Sequence, residues 1–445
     1  VLSLGASSGA VAAPGHWNPV GTTGQLDISE LVGLARTSDG TLHVGWHRRT
    51  PEGLYDLLET PITAPGAVGA PVPIVTGWAS IEGPSLVAPA PGSSLAAFFS
   101  GNRTRTTGDP SEGINMATSG DSGRAAWDLA PAAIASGDFA SSRDAGVVAV
   151  GGTFVQSWYA GEETVVHAGL DKAVAAQRGY GSGTNQNLAA DAAGAVLVAW
   201  CTGVQGANGV FVQSVDPSSG APVGAASLMP GSTAMVGGTA ETFCPASSRV
   251  PLVAREGGGF YVVSTDVKRL AVRIWRAGSA ASATLAGGAA AKQQLALAAA
   301  PSGRLWVGWM EDGKLKLRRS NRFATVFGAT VTVGTPPVDG IYQLDLSGQA
   351  DRVDAITRVQ GGSGVALYHA QSYPGLTLTA GAGRRAVFRV TDAGDAVAGA
   401  TIRVAGRTLK TNSQGRASAT LNRGRFTATA SKDKYVSASA SVRVR

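Results

Sequence analysis

Apolar and polar positions alternate along this chain in short runs broken by glycine turns. Three stretches show the pattern: "LVGLART-SDG-TLHVGW" (31–46), "PLVARE-GGG-FYVVST" (251–265) and "LALAAA-PSG-RLWVGW" (295–309). Two period-two runs joined by a tight glycine turn predict an antiparallel hairpin. A third run follows across another turn in "KLKLRRS" (314–320) and "LAVRIWRA" (270–277), and a fourth in "FATVFGATVTV" (323–333) and "WDLAPAAI" (127–134). The predicted unit is a four-stranded antiparallel sheet.

The unit repeats. Six residues beyond Gly40, Gly92, Gly152, Gly194, Gly259 and Gly303 stand Trp46, Phe98, Trp158, Trp200, Thr265 and Trp309. The turns recur about every 53 residues, a spacing in the range of propeller blades. A weaker copy spans 341–372 without a fourth strand, while "HWNPVGTT" (16–23) is a strand without a partner. Pairing the two closes a ring and removes the open edge. The expected fold is therefore all-β, a seven-bladed β-propeller closed by an N-terminal strand. Six blades, with the last copy outside the ring, is the alternative. The repeated aromatic has two readings, a filler between neighbouring blades or a rim platform on which sugars stack.

Composition agrees with strands and turns. The 445 residues include 61 Gly, are 44% apolar and only 15% charged. No apolar run approaches the ~18 residues that a membrane helix needs. Charge divides the chain in two. Residues 375–445 hold 13 Lys and Arg against 3 Asp and Glu, whereas the rest holds 24 basic and 27 acidic residues. This asymmetry predicts a propeller over 1–372 and a small basic domain over 373–445.

In "MATSGDSGRAAW" (116–127), Ser119, Asp121, Gly123 and Trp127 resemble the Asp-box turn of sialidase-like, BNR-repeat propellers. That turn is a folding element on the outer side of those rings, so the resemblance implies a fold and no catalysis. Sialidases carry an Arg-Ile-Pro motif early in the chain, and "LDISELVGLA" (26–35) has none. Sialidase activity is not expected. The C-terminal segment resembles carboxypeptidase-regulatory-like and bacterial Ig-like β-sandwich modules through Gly399, Asn412, Gly415, Gly424, Phe426 and Tyr435, with Lys434 where those modules have Gly. That resemblance implies a spacer or adhesive unit.

In a propeller, residues just before each first strand converge on the mouth of the central channel, the default ligand site. Those positions hold Glu30, Glu82, Arg143, Asp144, Asn185, Gln186, Arg249, Gln294 and Tyr342. Arg143 and Arg249 suit a carboxylate or sulfate through their forked donors, with Glu30, Asn185, Gln186 and Gln294 as further ligand contacts. Glu82, Asp144 and Tyr342 are the catalytic candidates, the two carboxylates serving as acid and base if they stand roughly 5–9.5 Å apart.

The two cysteines, Cys201 and Cys244, are not in a metal-ligand spacing. Blade register places both on connections that open on one face, which predicts a disulfide between them. The five histidines form no metal set, and neither a P-loop nor a dinucleotide fingerprint occurs, so no metal or cofactor is expected. The functional expectation is a secreted or surface-exposed bacterial binding protein. Its propeller would recognise a glycan or surface protein, and its basic domain would hold to anionic envelope polymers, without specific nucleic-acid binding. The alternative is a glycoside hydrolase or polysaccharide lyase working at the channel mouth.

Overall fold

The computed structural model of the chain describes residues 14–24, 31–89, 94–104, 106, 108–120, 126–135, 142–161, 163–181, 183–202, 208–236, 239–241, 249–266, 268–337, 340–361, 364–381 and 383–444. For 22–24, 142–145, 184, 234–236, 239–241, 341–342 and 361 only the backbone is described. Among these residues the structure is strand and turn, with one short helical turn at Pro301–Gly303.

Among the described residues, seven antiparallel meanders succeed one another before the C-terminal module. Their first strands are Gly33–Arg36, Ser80–Val87, Ser142–Val150, Thr184–Ala190, Leu252–Ala254, Gln293–Ala300 and Ile341–Gly348, and the meanders are called sheets 1 to 7 in that order. Each first strand packs against the next, and Ile341–Gly348 returns to Gly33–Arg36. The ring so formed is a β-propeller with the first strands innermost. Sheet 7 takes its fourth strand from the N-terminal side. Asn18–Gly24 pairs antiparallel with Gly364–Ser372, setting Asn18 opposite His369.

Local chemistry explains the hairpins. Gly40, Gly194 and Gly258 each send their N–H back three residues, to the carbonyls of Thr37, Asp191 and Arg255, at 2.9–3.0 Å. All three hold φ between 84° and 99°, a region that suits glycine. Gly21 has a different duty. A Cβ there would lie 2.4 Å from the Trp46 ring, so the closing strand can lie over sheet 1 only without a side chain at this point.

The aromatic repeat is structural. Trp46, Trp158, Trp200 and Trp309 are all at most 3% exposed. Each packs with the preceding sheet: Trp46 with Val20 and Leu367, Trp158 with Phe98, Trp200 with Val150 and Val155, and Trp309 with Tyr261 and Val263. Buried between sheets, these rings are fillers and offer no platform to a sugar. Two positions of the expected series shift by one. In sheet 2 the ring facing the preceding sheet is Phe99, packed with Leu57 and Ala35, while Phe98 faces sheet 3. In sheet 5 the reference turn residue is Gly258 rather than Gly259, because "GGG" offers three glycines and only Gly258 donates back to Arg255. The equivalent position is thus Ser264, and Thr265 lies on the other face.

The seam between sheets 7 and 1 is polar. Asp354 accepts from Arg36 at 2.7 Å and from Gln371 at 2.9 Å, and lies 2.9 Å from His369 Nε2. Burial works to raise its pKa, but the His369 hydrogen bond and the Arg36 charge outweigh it and hold the carboxyl below the usual range.

After Ser372 the chain forms two further sheets around one core drawn from Leu376 to Val444, including Phe388, Val390, Ile402 and Val442. Asn412 fixes a turn by accepting from the N–H groups of Gln414 and Arg416 at 3.0 and 2.9 Å. Lys434, where glycine was expected, does hold a glycine-like φ of 60°. Its ammonium donates to Asp351 of sheet 7 at 2.7 Å. Arg319 meets Asp392, and Arg304 donates to Asp395 at 2.6 Å, so the module is ion-paired to sheet 6 as well.

Candidate functional site

The inner strands share an irregularity that builds the channel mouth. Cα pairing jumps between Glu82 and Ser85, between Arg143 and Gly146, between Thr184 and Asn187, and between Gln293 and Ala296. Each jump is a β-bulge in which two inner-strand residues oppose one residue of the second strand. The single residues opposite are Phe99, Trp158, Trp200 and Trp309. In three of the four bulges the first extra residue is left-handed: Gly83 (φ 52°), Asn185 (φ 60°) and Gln294 (φ 46°). A smaller jump at Ile341/Gln343 leaves Tyr342 unpaired in sheet 7. The turn-to-aromatic repeat and the polar mouth thus have one origin.

Most of the expected site residues fall on these bulges. Glu82 opens the sheet 2 bulge and is half-buried. Asn185 and Gln186 are the extra residues of sheet 4, 5% and 0% exposed, and the Asn185 carbonyl accepts from Val250 N at 2.7 Å. Gln294 is the first extra residue of sheet 6. By backbone position Arg143 opens the sheet 3 bulge, Asp144 is its first extra residue and Tyr342 is the unpaired residue of sheet 7; their side chains lie outside the described residues. Glu30 lies outside them altogether.

Arg249, just ahead of sheet 5, extends into the channel. Its Nη2 donates to the carbonyls of Gly83 at 3.3 Å and Pro84 at 3.1 Å, the two extra residues of the sheet 2 bulge. The bulge turns peptide oxygens toward the axis, and the guanidinium takes them. The channel is a cavity of about 240 Å³ whose lining includes Ser85, Asn187, Arg249, Leu252, Leu344 and Asp345. A smaller pocket of about 40 Å³ opens beside Arg249, between Cys201, Val263 and Gln294.

Asp345 is the acid that the sequence expectation missed. It lies within the inner strand Ile341–Gly348, not ahead of it, and accepts from Gln343 Nε2 at 2.6 Å. Burial pushes its carboxyl up to about 6, against the opposing pull of the Arg249 charge and the Gln343 hydrogen bond. The signal was present in "YQLDLSG" (342–348), where an acid stands between two leucines of an inner strand. Leu344 and Leu346 pack against sheet 6, which leaves Asp345 to line the channel.

Cys201 is the penultimate residue of the second strand of sheet 4, Val196–Thr202, is 1% exposed and is disulfide-bonded. Cys244 lies outside the described residues, as do Asp121 and Gly123 of the Asp-box-like turn. Ser119 and Trp127 of that turn are cross-strand partners. Among the described residues no cluster of three or more His, Cys, Asp or Glu is placed to hold a metal ion, and no helix is long and apolar enough to cross a membrane.

No family model matches the chain, and no curated protein matches it. Solved structures do. YCF48 bound to D1 peptide is similar at 13% identity and a TM-score of 0.46, over 82% of this chain and 99% of that one. An ulvan lyase of polysaccharide lyase family PL25 is similar at 10% identity and a TM-score of 0.47, over 81% and 95%. An α-L-arabinanase of Penicillium chrysogenum complexed with arabinobiose is similar at 13% identity and a TM-score of 0.43, over 69% and 99%.

Proposed function

We propose that this protein is a seven-bladed propeller that binds an acidic group of a glycan or surface protein at its channel mouth, and that it acts outside the cell. The observation that carries this reading is the Arg249 guanidinium, seated on the sheet 2 bulge and lining the channel together with Ser85, Asn187 and Asp345. A fork of fixed donors in a partly desolvated channel favours a carboxylate or sulfate over a neutral group. The module from residue 373 serves as the attachment unit. The test is a glycan array probed with the full chain and with Gln294→Ala and Arg249→Lys variants, the second keeping the charge while losing the fork. Capture of acidic glycans that weakens in both variants supports the reading, and an array with no acidic ligand refutes it for glycans.

One observation favours a second reading, a glycoside hydrolase or lyase. Asp345, with its carboxyl raised to about 6, stands where an acid can hold a proton near neutral pH, with Arg249 close enough to stabilise developing negative charge. Release of new reducing ends or unsaturated products from an acidic polysaccharide, abolished in Asp345→Asn with the fold intact, would establish it.

A further inference from the structure

The C-terminal module carries its charge in a segregated way. From Ala396 to Arg445 the sequence has 10 Lys and Arg and a single acid, Asp433. Of the module's other two acids, Asp392 is engaged by Arg319 and Arg304 of sheet 6, and Asp395 by Arg304. Asp433 lies in the turn whose neighbours Lys434 and Tyr435 touch Asp351 and Arg319. All three acids therefore stand at the end that meets the ring, and the faces turned away from it are basic.

One of those faces is a complete four-stranded sheet, in the order Arg407–Lys410, Thr401–Val404, Gly424–Ser431 and Ala438–Val444. Alternation sends Ile402, Ala428, Ala430 and Val442 inward to the core. The opposite side presents Arg403, Lys410, Arg425 and Arg443, all exposed, on a ground of Thr and Ser such as Thr427 and Ser441. Arg425 and Arg443 are directly opposed in register. Like charges placed opposite one another on a sheet face destabilise it unless something neutralises them. From that pair the basic positions run diagonally across the strands, with Arg403 opposite Thr429 and Lys410 opposite Thr401. At about 3.4 Å per residue the track extends some 20 Å along the strands.

We propose that this sheet face is a docking surface for an anionic polysaccharide bearing sulfate or carboxylate groups. Charge complementarity carries the proposal: guanidinium forks recognise carboxylate and sulfate, and the hydroxyl ground supplies neutral hydrogen bonds to sugar oxygens. The face has no aromatic side chain on which a nucleic-acid base stacks. It also has no large apolar side chain to enter a lipid interface. The proposal rests on the reading of the module as an attachment unit and adds to it a defined surface and one class of partner.

The test uses the full chain on immobilised heparin and polygalacturonate, with double-stranded DNA and anionic phosphatidylserine vesicles as competitors. The Arg425→Ser/Arg443→Ser variant should lose about tenfold or more in affinity for at least one polysaccharide, because two charge-assisted contacts go. Its melting temperature should hold or rise as the repulsion is removed. Arg389→Ser/Arg416→Ser removes the same charge from an opposed pair on the other sheet, and should leave binding nearly unchanged. Equal losses in the two variants would overturn the defined face while preserving a basic attachment unit. No retention of the wild type would overturn the attachment reading itself. Stronger binding to DNA or vesicles than to either polysaccharide would overturn the choice of partner.

Discussion

Arg249 donates to the carbonyl of Gly83 across the channel, a contact between residues 166 positions apart that ties the approach to sheet 5 to the bulge of sheet 2. It makes the arginine a brace across the channel. Arg249→Ala should lower stability by about 1–3 kcal/mol, the usual cost of leaving buried carbonyls without a charged donor. Arg249→Lys should recover only part of this, since an ammonium has no fork. Urea denaturation of the three proteins checks the ordering; equal midpoints would show that the brace carries no load.

Asp345 predicts a pH dependence with a definite sign. Its folded-state carboxyl is raised to about 6 from an ordinary 3.8, so the folded chain holds this proton more tightly than the unfolded chain. The associated stability is fully present below about pH 4 and is lost as pH rises through 6. The loss should be on the order of 1–3 kcal/mol, each pH unit of displacement being worth about 1.4 kcal/mol. Chemical denaturation between pH 4 and 7 should show this slope in the wild type and a flatter one in Asp345→Asn.

Removing an inter-sheet ring should be expensive. Trp200→Ala and Trp309→Ala each empty a site that is at most 2% exposed, and should destabilise the propeller by roughly 3–5 kcal/mol. Thermal melts report the loss. Ligand binding by whatever fraction remains folded should be unchanged, because neither ring reaches the mouth.

The bond at Cys201 should join it to Cys244, the chain's other cysteine. Thiol titration of the denatured, unreduced protein should find no reactive thiol. Reduction should cost about 3–4 kcal/mol for a loop of roughly 40 residues. Two reactive thiols would refute the pairing.

The Arg319–Asp392 pair is buried on both sides, with side chains 4% and 3% exposed. Asp392→Ala leaves the guanidinium without that partner in a desolvated site, which typically costs about 3–5 kcal/mol. Calorimetry should show the module melting apart from the ring in this variant; a single unchanged transition would refute the coupling.

The sequence made the repeating hairpins legible because most of their turns use glycine and five of the seven second strands carry a large inter-sheet ring, and both leave marks one residue wide. It located the polar mouth for the same reason, since Asn185 and Gln294 each lie nine residues before the turn glycine and Glu82 lies ten before Gly92. Register was less legible. Counting from Gly92 reached Phe98 in place of Phe99, and three consecutive glycines before Phe260 left the reference ambiguous. Asp345 escaped because it belongs to the alternation of an inner strand, where only the ring's curvature decides which side chain meets the channel. The bulges themselves left no sequence mark, for their left-handed residues are Gly, Asn and Gln in turn.

The strand that closes the ring, Asn18–Gly24, is synthesised long before its partner Gly364–Ser372. For most of translation it has no edge to join, and every other sheet can be complete before it is used. Closure then fixes a loop of more than 300 residues in one event, the slowest kind of contact for a chain to find. The first described strand to emerge should thus be the last to pair. Until it does, sheet 7 presents an open edge that a second copy's Asn18–Gly24 fits as well as its own.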